Sequence, residues 1–280
     1  MINSMGLYNP QEHLEKKDWT WETFEKVLKD FYIPNGETTK PTLSAPQRAM
    51  VQLSFYSNDV RFADYIDGVL QTDIYSDKCI NAVNWVQKLY NEYAPDIITT
   101  KAGDGYWDVS KFVNQEVLMD VISGGEAVNG NIQYLADFSF GLMPFPSGPD
   151  CEYGRWVHYF EGIAGFAVPI NANEPEYAAH IISGLFEPFE DYGGADGLSD
   201  YYNRNVFSNP IDTELYLNAG KYARYIYWPV GGLDFTNNIS TNLKSKSAKQ
   251  LIETYGPSYE KVIEKYIMPN FNYLNEHMYK

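Results

Sequence analysis

Residues 140–179 constrain this chain more than any other stretch, because two short apolar runs within it each end at proline. Phe140-Gly141-Leu142-Met143 stops at Pro144 and Pro146, which reads as a buried strand ending at a rim. Ser147 to Tyr153 carries Ser, Gly, Pro and Asp, the composition of a surface turn. Trp156 to Phe160 is aromatic, and Gly162 to Pro169 reads as a second strand that opens on small residues. Asn173-Glu174-Pro175-Glu176 then starts a helix, with proline and acid in the first turn.

Elsewhere helical periodicity dominates. Thr20 is placed to cap a helix in which Trp21, Phe24, Val27, Leu28 and Phe31 share one face. Pro34 to Ser44 has loop composition, and Ala45 to Ala63 reads as a helix with Pro46 in its first turn. Ser76 caps a helix from Asp77 to about Tyr93, stopped by Pro95. Tyr106 to Phe112 is a loop or short helix. Val117 to Ile122 reads as a strand, followed by a Gly124-Gly125 turn into another helix. Helices are expected over Tyr177–Phe186, Tyr201–Phe207 and Thr213–Tyr227, with Tyr192–Ser199 a Gly-rich loop. Ile239–Leu243, Ala248–Tyr255 and Pro257–Glu276 close the chain as helices, and the alternation implies an α/β fold.

The central stretch resembles the family of extracellular solute-binding proteins of ABC importers, the group that captures sugars and oligosaccharides. Members carry a strand ending V-P-F-P, a turn like K-G-P-D-G, a strand ending A-I-P and a helix opening N-P-E-A-A. Here those read Leu142 to Pro146, Ser147 to Asp150, Phe166 to Pro169 and Glu174 to Ala179. Trp19-Thr20-Trp21-Glu22 is similar to a segment that follows the family's first crossing between lobes, and Val117 to Ile122 matches another of its strands. The resemblance implies a periplasmic-binding-protein-like (type II) fold, mainly the C-terminal lobe with a partial N-terminal lobe. Residues 1–164 would be the first part of the C-terminal lobe, 165–228 a piece of the N-terminal lobe, and 229–280 the closing helices. It also implies that most of the N-terminal lobe is missing. No signal peptide is read, since Met1 to Pro10 has neither a basic start nor a long apolar run. The helices of 165–228 would then expose apolar faces. For the full-length protein the resemblance implies the periplasm, or a lipoprotein on the outer side of the cell membrane.

Composition excludes several alternatives. No run of about 18 apolar residues is present, so no segment reads as a membrane span. A formal net charge of −16 argues against a nucleic-acid partner, which needs clustered Lys and Arg. Aromatic residues reach 16%, with 24 Tyr, and Tyr and Trp faces suit both sugar rings and interfaces. Cys79, in a helix, and Cys151, in a loop, form no metal or redox motif and read as two thiols, a bridge staying open. No cofactor motif is found: no phosphate loop, no nucleophile elbow and no H-E-x-x-H.

A sugar receptor needs a cleft with aromatic platforms and a few polar groups, and no catalyst. The candidates for ligand contact are Gln47, Glu126, Trp156, His158, Tyr159, Trp228 and Phe235. Gln47 and Arg48 open the helix that, by resemblance, faces the cleft; a solvated helix start is the simpler reading for Arg48. Glu126 either accepts hydroxyl hydrogen bonds or compensates its helix dipole. Trp156, His158 and Tyr159 precede the Gly-rich strand, where core packing is the competing reading for Trp156. Trp228 stacks on sugar or packs at the crossing, and Phe235 is a weaker candidate in the same loop. Trp19, Trp21 and Trp85 are assigned to the core. The partners implied are a sugar or oligosaccharide and the membrane permease subunits of the importer. The enzyme alternative, a glycoside hydrolase, needs paired carboxylates such as Asp104 with Asp108 or Glu187 with Glu190, which here read as solvated acids. A third reading is a truncated product that binds nothing tightly.

Overall fold

A computed structural model describes residues 2, 5–32, 40–66, 69–99, 109–128, 132–156, 158–160, 166, 168–169, 171–187, 194–207, 209–225 and 235–277. After a short α1 (Glu12–Glu15), α2 (Trp21–Asp30) starts where Thr20 accepts a hydrogen bond from the Thr23 amide. Ser76 likewise caps α4 (Asp77–Glu92), its oxygen accepting from the Cys79 amide. Both starts lie where the side-chain oxygens of Thr20 and Ser76 predict them, because each satisfies an amide the first helical turn leaves unpaired.

Three short strands form a parallel sheet in the order β4 (Ile98–Thr99), β1 (Leu43–Ser44), β5 (Met119–Asp120). Leu43 pairs with both Ile98 and Met119. Leu43 and Ser44 were expected in a loop; the structure makes them the central strand, with both side chains buried. The chain turns directly from β1 through Ala45 and Pro46 into α3 (Gln47–Ser57). Ala49, Met50, Val51, Phe55 and Tyr56 of α3 are all buried, and so are its polar Gln52, Ser54 and Ser57. With only Gln47, Arg48 and Leu53 partly exposed, α3 is a core element, not an amphipathic surface one. α4 lies on one side of it and α11 (Phe235–Thr241) on another. A hairpin, β2 (Asp64–Ile66) with β3 (Val69–Gln71), joins α3 to α4.

The turn at 144–150 is wedged into this core. Ser147 and the start of α2 exchange backbone hydrogen bonds: the Trp21 amide donates to Ser147 O at 3.0 Å, and the Ser147 amide to Trp19 O at 3.2 Å. The Gly148 amide donates to Ser57 O at 2.8 Å, and Asn58 holds the Asp150 carboxylate at 2.9 Å. A Cβ at Gly148 would collide with Asn58 Oδ1 and lie 2.8 Å from Trp21 Cζ2. The run Phe140–Met143, expected to be a strand, is unpaired in the structure. Its Leu142 amide donates to the Asp212 carboxylate and its Leu142 carbonyl accepts from Gln11, so side chains have taken the groups a sheet would use. The strand expected over Gly162–Pro169 falls largely outside the described residues. The described strand, β6 (His158–Phe160), precedes it and pairs in parallel with β7 (Ala223–Tyr225).

Short helices α5 (Ser110–Val113), α6 (Gly124–Val128) and α7 (Ile132–Leu135) surround β5 in sequence. Beyond β6 come α8 (Pro175–Leu185), α9 (Gly194–Asn205) and α10 (Pro210–Asn218). The expected loop at 192–199 is helical from Gly194, and the helix expected from Thr213 to Tyr227 ends at Asn218, followed by a 3-10 turn and β7. No residue of α8 is buried, and Tyr177, Ile181, Leu185 and Phe186 are all more than half exposed. The C-terminus is one near-continuous rod: α12 (Ala248–Val262), a π turn at Ile263–Ile267 and α13 (Met268–His277). Ser247 and Gln250 form a capping box at its start, and Pro257 lies inside α12 instead of between two helices. Leu251, Ile252, Tyr259 and Val262 remain buried on both sides of the proline, so packing outweighs the lost hydrogen bond.

α2 and α4 are clasped at Glu25. Its carboxylate accepts from Trp85 Nε1 at 3.0 Å, Lys88 Nζ at 2.6 Å and Tyr93 OH at 2.7 Å, beside the stacked Trp21 and Trp85 rings, 4.2 Å apart and 2° from parallel. Burial opposes ionisation of Glu25, but the hydrogen bonds from Lys88 and Tyr93, the Lys88 charge and the Trp85 bond outweigh it and hold the carboxyl below its usual range. A carboxyl depressed on folding stabilises above its unfolded value, about 4.3, and that contribution is lost as pH falls through the folded value. Glu25→Gln is therefore expected to cost about 1–3 kcal/mol at pH 7, with the gap to wild type closing in acid; urea unfolding at pH 7 and pH 3 checks this, and a gap that does not shrink refutes it. Gly148→Ala is expected to cost about 1–3 kcal/mol as well, from overpacking, read as a lower urea midpoint with an unchanged slope.

Candidate functional site

Parallel strands end on one side of their sheet, and the loops leaving those ends form the natural ligand edge of an open α/β sheet. Two candidates are brought to that edge. Gln47 is the first residue of α3, three positions after β1, and Glu126 lies in the first turn of α6, six positions after β5. β1 and β5 are neighbours, so these side chains start from adjacent strand ends. Both are partly exposed. The Glu126 amide donates to Ser123 Oγ at 3.2 Å, which fixes the entry into α6.

His158 and Tyr159 lie on β6, in register with Ala223 and Arg224, and β6 runs alongside α3. Trp156, two residues before β6, is half-buried against the core, with Tyr153 edge-on at 5.2 Å. The core reading therefore holds for much of its ring. Phe235 is not in a loop: it opens α11, is 4% exposed, and lies between the rings of Phe55, Phe62 and Tyr259. A ring enclosed by three aromatic neighbours is a core ring. Trp228 lies outside the described residues, as do Asp104, Asp108 and Glu190 of the imagined carboxylate pairs.

Tyr216 of α10 is a residue that periodicity did not single out. Its Cε2 would lie 3.6 Å from a Cβ on Gly124, so the ring rests on the backbone that opens α6. Tyr202 and Phe207 flank it, with ring centres 5.1 and 5.6 Å away. Burial and the neighbouring Tyr202 push the Tyr216 hydroxyl above its usual range, so it stays a neutral donor. Even an alanine at position 124 would leave the ring in ordinary contact, so nothing in the local sequence points to Tyr216.

α10 is itself anchored by Asp212, whose side chain is fully buried. Oδ1 accepts from Gln11 Nε2 and from the Leu142 amide, both at 2.7 Å, and Oδ2 accepts from Asn209 Nδ2 at 2.6 Å. Burial pushes this carboxyl up, and the bonds from Leu142, Gln11 and Asn209 only partly pull it back. Asn209 also caps α10, accepting from the Asp212 amide, with Pro210 at the first helical position. The helix expected from Thr213 thus starts three residues earlier, at Pro210; the Asp212 bonds to Gln11 and Leu142 span 201 and 70 residues.

Among the described residues no three His, Cys, Asp or Glu side chains are arranged to hold a metal, and no helix is long and apolar enough to cross a membrane. The edge therefore offers an amide, a carboxylate and aromatic rings: groups that hold a neutral polyhydroxylated molecule by hydrogen bonds and stacking.

A sequence model of bacterial extracellular solute-binding proteins matches residues 2–190. No curated protein sequence matches the chain. Among solved structures, an ABC substrate-binding protein from Listeria monocytogenes in complex with cycloalternan superposes with TM-score 0.61 at 12% identity, over 94% of this chain and 67% of that one. UgpB from Mycobacterium tuberculosis in complex with glycerophosphocholine gives 0.59 at 14%, over 95% and 67%. A cyclo/maltodextrin-binding protein complexed with maltotetraose gives 0.62 at 13%, over 89% and 65%. The fold is thus that of periplasmic-type binding proteins, and the chain spans about two thirds of these neighbours' length.

Because Phe235 is a core ring, Phe235→Ala is expected to lower stability by about 3–5 kcal/mol. Urea unfolding checks this; a loss under 1 kcal/mol would show the ring is not packed as described.

Proposed function

From the premise that the chain belongs to the bacterial extracellular solute-binding protein family, we propose that it is the capturing component of an ABC-type importer. It takes a sugar or oligosaccharide at the strand-end edge and hands it to membrane permease subunits outside the cytoplasm. What supports this reading is that Gln47 and Glu126 follow adjacent strands of the parallel sheet, with Tyr216 packed at the start of α6. Two of the three solved neighbours hold oligosaccharides, and the other holds a small polar phosphodiester. Capture, not turnover, is the chemistry: no bond-breaking group is needed, and closure of two lobes around the ligand supplies the grip.

We assign residues 1–164 and 229–280 to one lobe and 165–228 to part of the other. Two features support the division. The parallel pair β6 and β7 lies where the chain would pass between lobes. The apolar residues of α8 are exposed, as expected of helices that pack on strands lying outside these 280 residues. On this assignment the chain carries much of one cleft wall and little of the other, and binding by this chain alone is weak. Gln47 and Glu126 hydrogen-bond ligand hydroxyls, and His158, Tyr159, Trp156 and Trp228 complete the proposed set of ligand-binding residues.

The test is titration calorimetry with maltotetraose, cycloalternan and glycerophosphocholine. An oligosaccharide is expected to bind in the high-micromolar to millimolar range, about −4 to −6 kcal/mol, and Glu126→Ala to weaken it at least tenfold. No heat from any of the three, or equal binding by the Glu126 variant, would overturn the reading.

A further inference from the structure

Asp212 joins parts of the chain that the proposed lobe assignment puts in different bodies. Its own helix, α10, falls in 165–228, whereas Gln11 and Leu142 fall in 1–164. The three bonds are short, 2.6 to 2.7 Å, and are made where water is excluded, so each is hard to exchange for a bond to solvent. Gln11 is fixed in turn: its Nε2 also donates to Leu142 O at 2.9 Å, and its amide to Asn9 Oδ1 at 3.0 Å. The carboxylate therefore closes a ring of bonds with both polar groups of the Leu142 backbone.

Tyr216 is four residues beyond Asp212 on α10, one helical turn along the same face. Anchoring Asp212 fixes α10, and so fixes how closely the Tyr216 ring approaches Gly124 and the Glu126 turn. We infer that Asp212 is a positioning residue: by latching α10 to Gln11 and Leu142 it holds the Tyr216 ring against Gly124, and so fixes the start of α6 from which Glu126 meets the sugar. This rests on the reading of that edge as a sugar site. It assigns to a buried carboxylate, distant in sequence from both strand ends, control over a wall it does not touch.

The chemistry of the two oxygens gives a discriminating pair of variants. Asp212→Asn keeps an oxygen that accepts from Gln11 and Leu142, and loses only the bond from Asn209. Asp212→Ala loses all three. Spin labels placed at exposed Asn91 on α4 and exposed Glu214 on α10, in a Cys151→Ser background where the remaining Cys79 is buried, report the position of α10 by double electron resonance. The latch predicts a narrow distance distribution for wild type and Asp212→Asn, and a broadened or shifted one for Asp212→Ala. Affinity for whichever of the oligosaccharides binds should stay within about threefold in Asp212→Asn and fall at least tenfold in Asp212→Ala. A merely structural role predicts a lower melting temperature for Asp212→Ala with distance and affinity at their wild-type values; that result overturns the inference. If Asp212→Ala does not fold, Gln11→Ala decides: an unchanged distance distribution overturns the latch, a broadened one supports it. If wild type binds no sugar, the transport reading fails by itself, and the distances still decide whether Asp212 holds α10.

Discussion

Everything in this fold leans on the burial of α3. A helix this largely buried must be enclosed by other elements before it is stable, and its neighbours are fixed by that need. The sheet feeds it through Ala45 and Pro46, α4 and α11 cover its flanks, and the 144–150 turn closes its C-terminal end through Gly148 and Ser57. The position of Gln47 follows directly: it is the first residue of that enclosed helix. On the proposed reading such a mounting meets the cost of orienting a ligand-binding side chain during folding.

The sequence made legible what depends on near neighbours. The caps at Thr20 and Ser76, the helix opening near Pro175, and the core roles of Trp19, Trp21 and Trp85 could be read because each rests on contacts or periodicity within a few residues. The misreadings share a different cause. Leu43–Ser44 is a strand only because Ile98 and Met119 flank it, and two residues carry no period of their own. Leu142 is not a strand residue because Asp212 and Gln11 occupy its backbone groups from far along the chain. Phe235 looked like a loop aromatic until Phe55, Phe62 and Tyr259 closed round it. Of the site, Glu126 was accessible from a strand-turn-helix pattern and Gln47 by resemblance, whereas Tyr216 depended on a long-range approach to Gly124.

Two carboxylates show how the same group does opposite work. Glu25 is surrounded by a cation and two neutral donors, and it remains charged as a clasp between α2 and α4. Asp212 has neutral donors only, and burial wins, so its charge is held less firmly. The first joins α2 to α4; the second joins α10 to Gln11 and Leu142.

The wedge at Gly148 has a consequence for how this chain can drift. Every missense change one nucleotide away from a glycine codon installs a residue with a Cβ, and here that atom would overlap Asn58 and press on Trp21. No small exploratory step exists at this position, so sequence change in the surrounding turn must proceed around it. The socket made by Trp21, Ser57 and Asn58 is thereby tied to the history of a single codon.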